Sequence, residues 1–320
     1  MQQKTSVIIT GAGPAGLTAA LQLKRFGIPA LVFESEKIGG LLHNANLVEN
    51  YPGFPRGVRG GKLVDLLKKQ VEHIGVDVLA EKVISLNYLP PPSLPRLRGR
   101  DEFSSHEMGG VRGGSFFAKT DKNEYHAEVA IVASGTKPRK FDDALIAEDV
   151  KSRVFYEVRD LLEVKNEEII IVGAGDAAFD YALNLARNDN SVTILNRGKN
   201  IRALGLLVER VRKRKNIAYL DNAQIRRVTD AGDRGLRVEV SHRGNIEIRE
   251  ASFLLGALGR IPHANFLSEE IHQREDELVA HKILYFIGDV RNGIYRQTAI
   301  AAGDALRATM QIDQFFKEKL

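Results

Sequence analysis

Two stretches of the chain repeat one pattern of apolar and polar positions. The first has an apolar run at residues 6–10, a glycine turn, an amphipathic segment and a second apolar run ending at Phe33. The second starts with an apolar run at residues 169–172 and ends at Leu195 after the same succession. Strand, turn, helix and strand at this length form a right-handed βαβ unit with parallel strands. The pattern predicts an α/β protein with two Rossmann-like, doubly wound parallel sheets.

Two further apolar segments indicate crossings between these units. One covers residues 127–134 and leads to Gly135, and the other is the sequence FLLGALGRIP after the second unit. The chain then closes with a predicted strand, a loop and a long helix. We predict a discontinuous first domain, residues 1–141 and 259–320, with the second domain inserted at residues 150–257.

One region has no usable periodicity. Residues 89–114 are rich in Pro, Gly and Arg and lie between two predicted strands. This composition predicts a long, mobile hairpin loop. A loop that docks a partner protein is the alternative, because its arginines outnumber its acidic residues.

Composition excludes several kinds of chemistry. The 320 residues include no cysteine, which excludes disulfides, thiolate nucleophiles and cysteine-bound metals. The histidines show no metal-ligand spacing, so we predict no metal site. A net charge of +5 is too mild to indicate nucleic acid. Neither a membrane-length apolar run nor a signal-peptide pattern is present, so we predict a cytoplasmic protein without membrane contact.

Gly11, Gly13 and Gly16 form a G-x-G-x-x-G turn between a strand and a helix. These glycines allow the tight turn, the approach of a pyrophosphate and close packing of helix on sheet. The pyrophosphate would lie at the helix N-terminus, where free N–H groups favour anions. Glu34 follows Gly11 by 23 residues, where a carboxylate accepts hydrogen bonds from a ribose 2′-hydroxyl. The motif predicts a dinucleotide with an unphosphorylated ribose, such as FAD.

A second motif, G-x-G-x-x-A, consists of Gly173, Gly175 and Ala178. Here the residue 23 positions after the first glycine is Asn196, followed by Arg197 and, nearby, Arg202. An amide and two arginines would accept a 2′-phosphate that a carboxylate would repel. The motif therefore favours NADP(H), with NAD(H) as an alternative. The two arginines could instead be a solvated surface pair.

Several segments together resemble the thioredoxin reductase family of flavoproteins. They cover nearly the whole chain: GAGPAGLTAA, GGLL, VENYPGFP, ASGTKPR, GAGDAAFD, ALGRIPHANF and GDVRNGIYRQTAIAAG. The resemblance implies a homodimer and implies that Asp289 hydrogen-bonds the ribityl chain of FAD. It also implies that Arg296, Gln297 and the backbone at Thr298 meet the flavin at the start of the last helix. A helix N-terminus there would stabilise the anion formed when the flavin is reduced.

The matched segments imply further cofactor-binding residues. For FAD they are Pro14, Ala15, Gly40, Leu41, Asn50, Tyr51, Ala133, Ser134, Gly135 and Gly288, and for the nicotinamide nucleotide they are Asp176 and Ala177. Packing as a loop aromatic is the alternative role of Tyr51. We assign no catalytic side chain, because hydride transfer needs neither an acid nor a base.

One motif of that family is absent. Counted back from Gly173 without gaps, the positions of its redox C-x-x-C are Tyr156 and Arg159. Asp160, which follows, is predicted to cap the next helix, and the alternative is a vestige of the dithiol chemistry. Without a thiolate there is no thiol–disulfide exchange, so this chain by itself is not a thioredoxin reductase. The local sequence VFYEVRDLLEV is instead similar to the cysteine-free branch, the thioredoxin-reductase-like ferredoxin/flavodoxin–NADP reductases.

This branch implies transfer of electrons from NAD(P)H through FAD to an acidic ferredoxin or flavodoxin. Two alternatives stay open. One is an NAD(P)H oxidase or quinone reductase, favoured because the chain ends at Leu320 without the C-terminal extension that usually covers the flavin in this branch. The other is a non-catalytic, flavin-bound regulatory protein, which the near-complete set of motifs disfavours.

Overall fold

The computed structural model of the protein describes residues 3–91 and 113–319. In chain order the strands and α-helices are β1 (Gln3–Thr10), α1 (Pro14–Arg25), β2 (Ala30–Glu34), α2 (Gly60–His73), β3 (Val78–Ala80), β4 (Val83–Leu89), β5 (Ser115–Thr120), β6 (Glu124–Val132), β7 (Thr136–Pro138), β8 (Val154–Phe155), β9 (Glu168–Val172), α3 (Asp176–Leu185), β10 (Ser191–Leu195), α4 (Gly205–Arg212), β11 (Ile217–Leu220), β12 (Ala223–Asp230), β13 (Leu236–His242), β14 (Asn245–Ala251), β15 (Phe253–Gly256), β16 (Arg260–Pro262), α5 (Glu269–Gln273), α6 (Glu275–Ala280), β17 (Leu284–Phe286) and α7 (Thr298–Lys317). Most of the predicted 89–114 loop lies outside the described residues.

The first sheet has β1 at its centre. Its order is β3-β2-β1-β6-β5-β4, and β17 pairs in parallel with β6. Ile9 of β1 lies opposite Val32 on one side and Ile131 on the other, both in parallel pairing. These apolar runs are buried, as is typical of parallel strands covered on both faces. Because β17 follows the second sheet in the chain, the first unit is discontinuous, which confirms that part of the predicted fold class.

The second sheet repeats this arrangement. Its five strands are all parallel, in the order β11-β10-β9-β15-β8. An antiparallel sheet, β12-β13-β14, packs over it and encloses a core that includes Val238, Val240 and Leu254. The two predicted Rossmann-like sheets are therefore confirmed.

The two connections between the sheets pair with each other as a two-stranded ribbon. β7 and β16 pair antiparallel, with Lys137 opposite Ile261. Arg260 of β16 also links the two strands through its side chain, since its Nε donates to Thr136 Oγ1 at 2.8 Å and its NH2 donates to the Thr136 carbonyl at 2.7 Å. The predicted domain limits at residues 141, 150, 257 and 259 stay predictions.

The closing helix α7 is amphipathic and packs against α1. It buries Ala305, Ala308 and Ile312 in the core of the first unit, while Leu306 and Met310 are exposed. Its N-terminus begins directly after the loop that follows β17. Within the described ranges, the helices lack the combined length and apolar character needed to cross a membrane.

Candidate functional site

A cavity of about 530 Å³ opens at the carboxyl ends of β1, β2 and β6. This is where ligands bind in doubly wound sheets, and the volume is typical of a small-molecule site. The predicted FAD residues that line it are Gly11, Gly13, Pro14, Ala15, Glu34, Gly40, Leu41, Asn50, Ala133, Ser134, Gly135, Asp289, Arg296, Gln297 and Thr298. The structure thus brings together residues from both ends of the chain.

Three predicted FAD residues do not line this cavity. A Cβ on Gly16 would lie 1.9 Å from the carbonyl oxygen of Gly11, so this glycine serves helix packing. Tyr51 stacks on Phe54 with the ring centroids 6.1 Å apart. Gly288 donates its N–H to Asp304 Oδ2 at 3.1 Å and positions the neighbouring Asp289.

The glycine turn leaves room for a pyrophosphate. Gly11 has a φ of +101°, and a Cβ there would lie 2.5 Å from the Ala133 carbonyl oxygen, so the turn closes on the end of β6. A Cβ on Gly13, in contrast, would meet no protein atom within 4 Å. Helix α1 begins at Pro14 without a side-chain cap and without an acidic residue in its first turn. Its free N–H groups suit an anion.

The carboxylate of Glu34 lies on the wall of the cavity, where two backbone N–H groups hold it. Its Oε2 accepts from the N–H of Ala12 and its Oε1 accepts from the N–H of Glu36, both at 2.9 Å. A carboxylate offers about four lone-pair positions, so two bonds leave capacity for ribose hydroxyls. This geometry fits the unphosphorylated ribose predicted from the sequence.

The cavity is also lined by a residue with a buried donor that has no acceptor in the described part of the chain. This donor is Arg296 Nε. Burial raises the pKa of Asp289, against the opposing charges of Arg296 and Arg260. Thr298 begins α7, whose N-cap residue provides no side-chain hydrogen bond. An orphaned cationic donor and a free helix N-terminus both fit an electron-rich ring such as the flavin.

The residues predicted for the nicotinamide nucleotide lie apart, at the carboxyl edge of the second sheet. Gly173, with a φ of +153°, approaches Ala257 as Gly11 approaches Ala133, because a Cβ would lie 2.5 Å from its carbonyl oxygen. Gly175, the N-cap of α3, has open space at its Cβ position. The first turn of α3 contains Asp176, Ala177 and Ala178. The Oδ1 of Asp176 accepts from the N–H of Leu204 at 2.8 Å, Ala177 is exposed and Ala178 is buried.

Asn196 shapes the loop after β10. It is only 5% exposed, and its Nδ2 donates to Tyr219 Oη at 2.8 Å and to the Asn200 carbonyl at 3.1 Å. Its Oδ1 accepts from the N–H of Gly198. Arg197 and Arg202 are exposed, and their guanidinium groups form no ion pair within the described ranges. The arginines, and not the amide, are therefore free to meet a ligand.

The sequence profile of the pyridine nucleotide-disulphide oxidoreductases matches residues 5–305. The chain belongs to this family. A thioredoxin reductase of Rickettsia conorii is 27% identical, with 99% of this chain and all of that protein aligned. Crystal structures of the thioredoxin reductases of Lactococcus lactis and T. acidophilum share the fold, with TM-scores of 0.78 and 0.77, 24% identity, and 98–100% of each chain covered. Thioredoxin reductase-like members use FAD and NADPH, which confirms the predicted cofactors.

This member of the pyridine nucleotide-disulphide oxidoreductases has no cysteine, and the two positions predicted for the redox pair are Tyr156 and Arg159. Tyr156 accepts a hydrogen bond from the N–H of Phe141 at 3.2 Å and packs against that ring. Arg159 lines the cavity and pairs with Glu36. The prediction for Asp160 is wrong, because it lies inside a short 3₁₀ helix, Val158–Leu161, that has no side-chain cap.

Glu157 is a site residue that sequence reasoning missed. It lines the cavity and is 13% exposed. Its Oε1 pairs with Arg260 NH1 at 2.9 Å, and its Oε2 accepts from Asn44 Nδ2. The sequence shows an acidic residue between the two positions predicted for the cysteines, but it does not show the ion-pair and hydrogen-bond partners of that residue.

Proposed function

We propose that this chain is an FAD-dependent NAD(P)H oxidoreductase that delivers electrons one at a time to an acidic acceptor protein such as ferredoxin or flavodoxin. One NADPH and two oxidised acceptors give NADP⁺, a proton and two reduced acceptors. The observation that carries the proposal is that Glu157 and Arg159, and no thiol, lie on the cavity in the segment where a dithiol would lie.

The absence of cysteine separates this chain from what its relatives' names describe. Thiol–disulfide exchange proceeds by attack of a thiolate on a disulfide, and the sequence contains no cysteine. Electrons would therefore leave the cavity for an external acceptor directly, without passing through a disulfide of the protein.

The residues at the flavin end would position the ring and set its charge preference. Bound FAD would supply the redox chemistry, accepting a hydride from the nicotinamide and releasing single electrons. Arg296 and the N-terminus of α7 would favour negative charge on the ring. Asp289, whose pKa burial raises, would bind a hydroxyl more readily than a second anion.

The rim of the cavity supports an acidic acceptor. Lys82 and Lys137 are exposed and line it, and Arg139 and Lys140 follow on the same crossing. Burial lowers the pKa of His263 at this rim, and the charges of Lys137 and Lys82 lower it further. A cationic rim raises the rate at which an acidic protein docks. The homodimer and the cytoplasmic location stay predictions.

Anaerobic titration with NADPH, and separately with NADH, tests the first half of the proposal. We expect stoichiometric NADPH to bleach the flavin absorbance fully, with NADH much weaker. The reduced protein is then offered ferredoxin, flavodoxin, thioredoxin with its disulfide oxidised, or oxygen. Rapid reoxidation by an acidic carrier alone supports the proposal. Rapid oxygen consumption without any carrier supports the oxidase instead, and a flavin that neither nucleotide bleaches contradicts hydride transfer.

A further inference from the structure

A second cavity lies on the surface beside the loop that contains Asn196. Its walls are Lys199 from that loop, Asp221 and Asn222 from the end of β11, and the turn Arg243–Gly244 between β13 and β14. Of these residues, Arg243 lies 47 positions beyond Asn196 in the chain. The turn therefore adds a cation that the glycine motif and its loop do not contain.

Hydrogen bonds show that the two nucleotide-binding units correspond residue by residue at this end. Gly11 N–H donates to the Phe33 carbonyl at 2.8 Å, and Gly173 N–H donates to the Leu195 carbonyl at 3.0 Å. In the first unit, two residues separate β3 from β4, and in the second, two residues separate β11 from β12. Both β4 and β12 pair antiparallel with the strand that follows.

The correspondence extends to the turn of the antiparallel hairpin. Asp121 N–H donates to the Lys82 carbonyl at 3.0 Å, and Arg243 N–H donates to the Asn222 carbonyl at 3.3 Å. Lys82 lines the flavin cavity, at the end where Glu34 is held. Asn222 therefore lies at the adenosine end of the second site, with Arg243 beside it.

The corresponding positions carry different charges. The first unit has Glu34, Glu81, Lys82 and Asp121 at these positions, and the second has Asn196, Asp221, Asn222 and Arg243. The second unit thus lacks two of the three carboxylates, and its one cation, Arg243, lies on the hairpin turn and not at the position of Lys82. Its net charge at this end is therefore more positive by two. This is the change that a phosphorylated ribose requires.

Arg243 is available for a ligand. Its side chain is 69% exposed, and only its NH2 is engaged, with Asp221 Oδ1 at 3.1 Å. The other guanidinium donors have no partner in the described part of the chain. Lys199 is exposed and forms no ion pair within the same ranges.

We propose that this second cavity binds the 2′-phosphate of NADPH and that Arg243, with Lys199, distinguishes NADPH from NADH. The inference rests on the proposed use of a nicotinamide nucleotide. It assigns the discrimination to a hairpin turn as well as to Arg197 and Arg202. A guanidinium pairs with a phosphate through two N–H donors, and an aligned pair of this kind is stronger than a neutral hydrogen bond.

Calorimetric binding of adenosine 2′,5′-bisphosphate and of 5′-AMP to the FAD-loaded protein tests this. We expect Arg243→Ala and Lys199→Ala to weaken binding of the bisphosphate, by about tenfold for Arg243, and to leave 5′-AMP unchanged. In turnover assays the KM for NADPH rises by a similar factor while the KM for NADH does not move. Arg237→Ala is the matched control, an exposed arginine at the other end of β13, about 20 Å away along the strand.

Two results overturn the inference. One is equal weakening of both ligands by Arg243→Ala, and the other is a wild-type protein that does not prefer the bisphosphate. Because the ligand fragments carry no nicotinamide, their binding does not depend on electron transfer. Preferential binding of the bisphosphate with no bleaching by NADPH would uphold this site and contradict the proposed function.

Discussion

At the scale of the residue, Asp180 is a half-buried carboxylate where the two units meet. Its Oδ2 accepts from the N–H of Asn46 at 2.9 Å. Burial raises its pKa from 3.8 to about 6, although bonds from Asn46 and the charge of Arg187 favour the ionised form. Asn46 Oδ1 is buried and has no partner in the described ranges. An uncharged group that can also donate would suit this contact better at neutral pH.

We expect Asp180→Asn to raise the thermal midpoint near neutral pH, with a gain that shrinks toward about pH 4. Since the folded-state pKa is the higher one, the folded protein binds more protons than the unfolded chain between about pH 4 and 6. Stability is therefore lost as the pH rises through this window, and the amide removes that loss. Thermal unfolding across the window measures it. Asp189→Asn, at an exposed position just after the same helix, is the control, and a gain independent of pH would contradict the explanation.

A second prediction at this scale concerns Arg296, whose Nε has no partner. Arg296→Gln removes a positive charge from the flavin end of the cavity, so we expect the two-electron potential of bound flavin to fall by about 30 mV, equivalent to about 1.4 kcal/mol. Dye-coupled potentiometry measures the shift. Arg291→Gln is the control, because Arg291 pairs with Glu275 at 2.7 Å and does not line the cavity. Equal shifts in both variants would show that the effect is only one of net charge.

At the scale of the element, the strand–turn–helix unit contains glycines with different tasks. A Cβ on Gly16 would collide with the backbone, whereas a Cβ on Gly13 would meet no protein atom within 4 Å. The spacing of the motif is the same for both. Only the packing of α1 against the turn shows which glycine serves the fold and which serves the cofactor.

We therefore expect Gly16→Ala to lower the unfolding free energy of the apoprotein by about 1–3 kcal/mol or more, since a buried backbone must move. Gly13→Ala should leave that free energy nearly unchanged and weaken FAD binding at least about tenfold. Denaturant unfolding of the apoprotein and titration with FAD separate the two effects. An apoprotein of Gly13→Ala as unstable as that of Gly16→Ala would refute this division of roles.

At the scale of the whole molecule, polar contacts join the first unit to residues 157–159, in the segment where the dithiol was predicted. Asn44 is 4% exposed, its Nδ2 donates to Glu157, and its Oδ1 accepts from the N–H of Arg159 at 3.1 Å. Arg210 and Glu49 form a bidentate ion pair between the same two units, and its side chains are 34% and 40% exposed. Buried partners left unsatisfied cost more than an exposed ion pair contributes.

We expect Asn44→Ala to loosen residues 154–161 and to speed amide hydrogen exchange there by about tenfold or more, since it leaves two buried polar groups unpaired at about 1–3 kcal/mol each. Arg210→Ala should change exchange in that segment by less than about fivefold, because an exposed pair is worth about 0–1 kcal/mol. Mass-spectrometric exchange on the FAD-loaded protein measures both. The reverse order would mean that the outer ion pair holds the units together.

The sequence alone determined the features that depend on short spacings. Two glycine turns, each followed 23 residues later by a polar residue at the end of the second strand, predicted two parallel sheets. Gly11, Gly13 and Glu34 line one cavity as expected. Strand alternation and turn geometry extend over a few residues, so their signal is complete within one segment.

Only the tertiary structure decided which distant residues meet. Arg159 and Glu36 are 123 positions apart, and Asn44 and Glu157 are 113 apart. Neither pairing leaves a local pattern, because each depends on how the two packed cores lie against one another. The same holds for Arg243, which reaches the nucleotide loop through the register of an antiparallel hairpin. Local spacing determines what a segment can bind, whereas the packing of whole units determines which charges surround it.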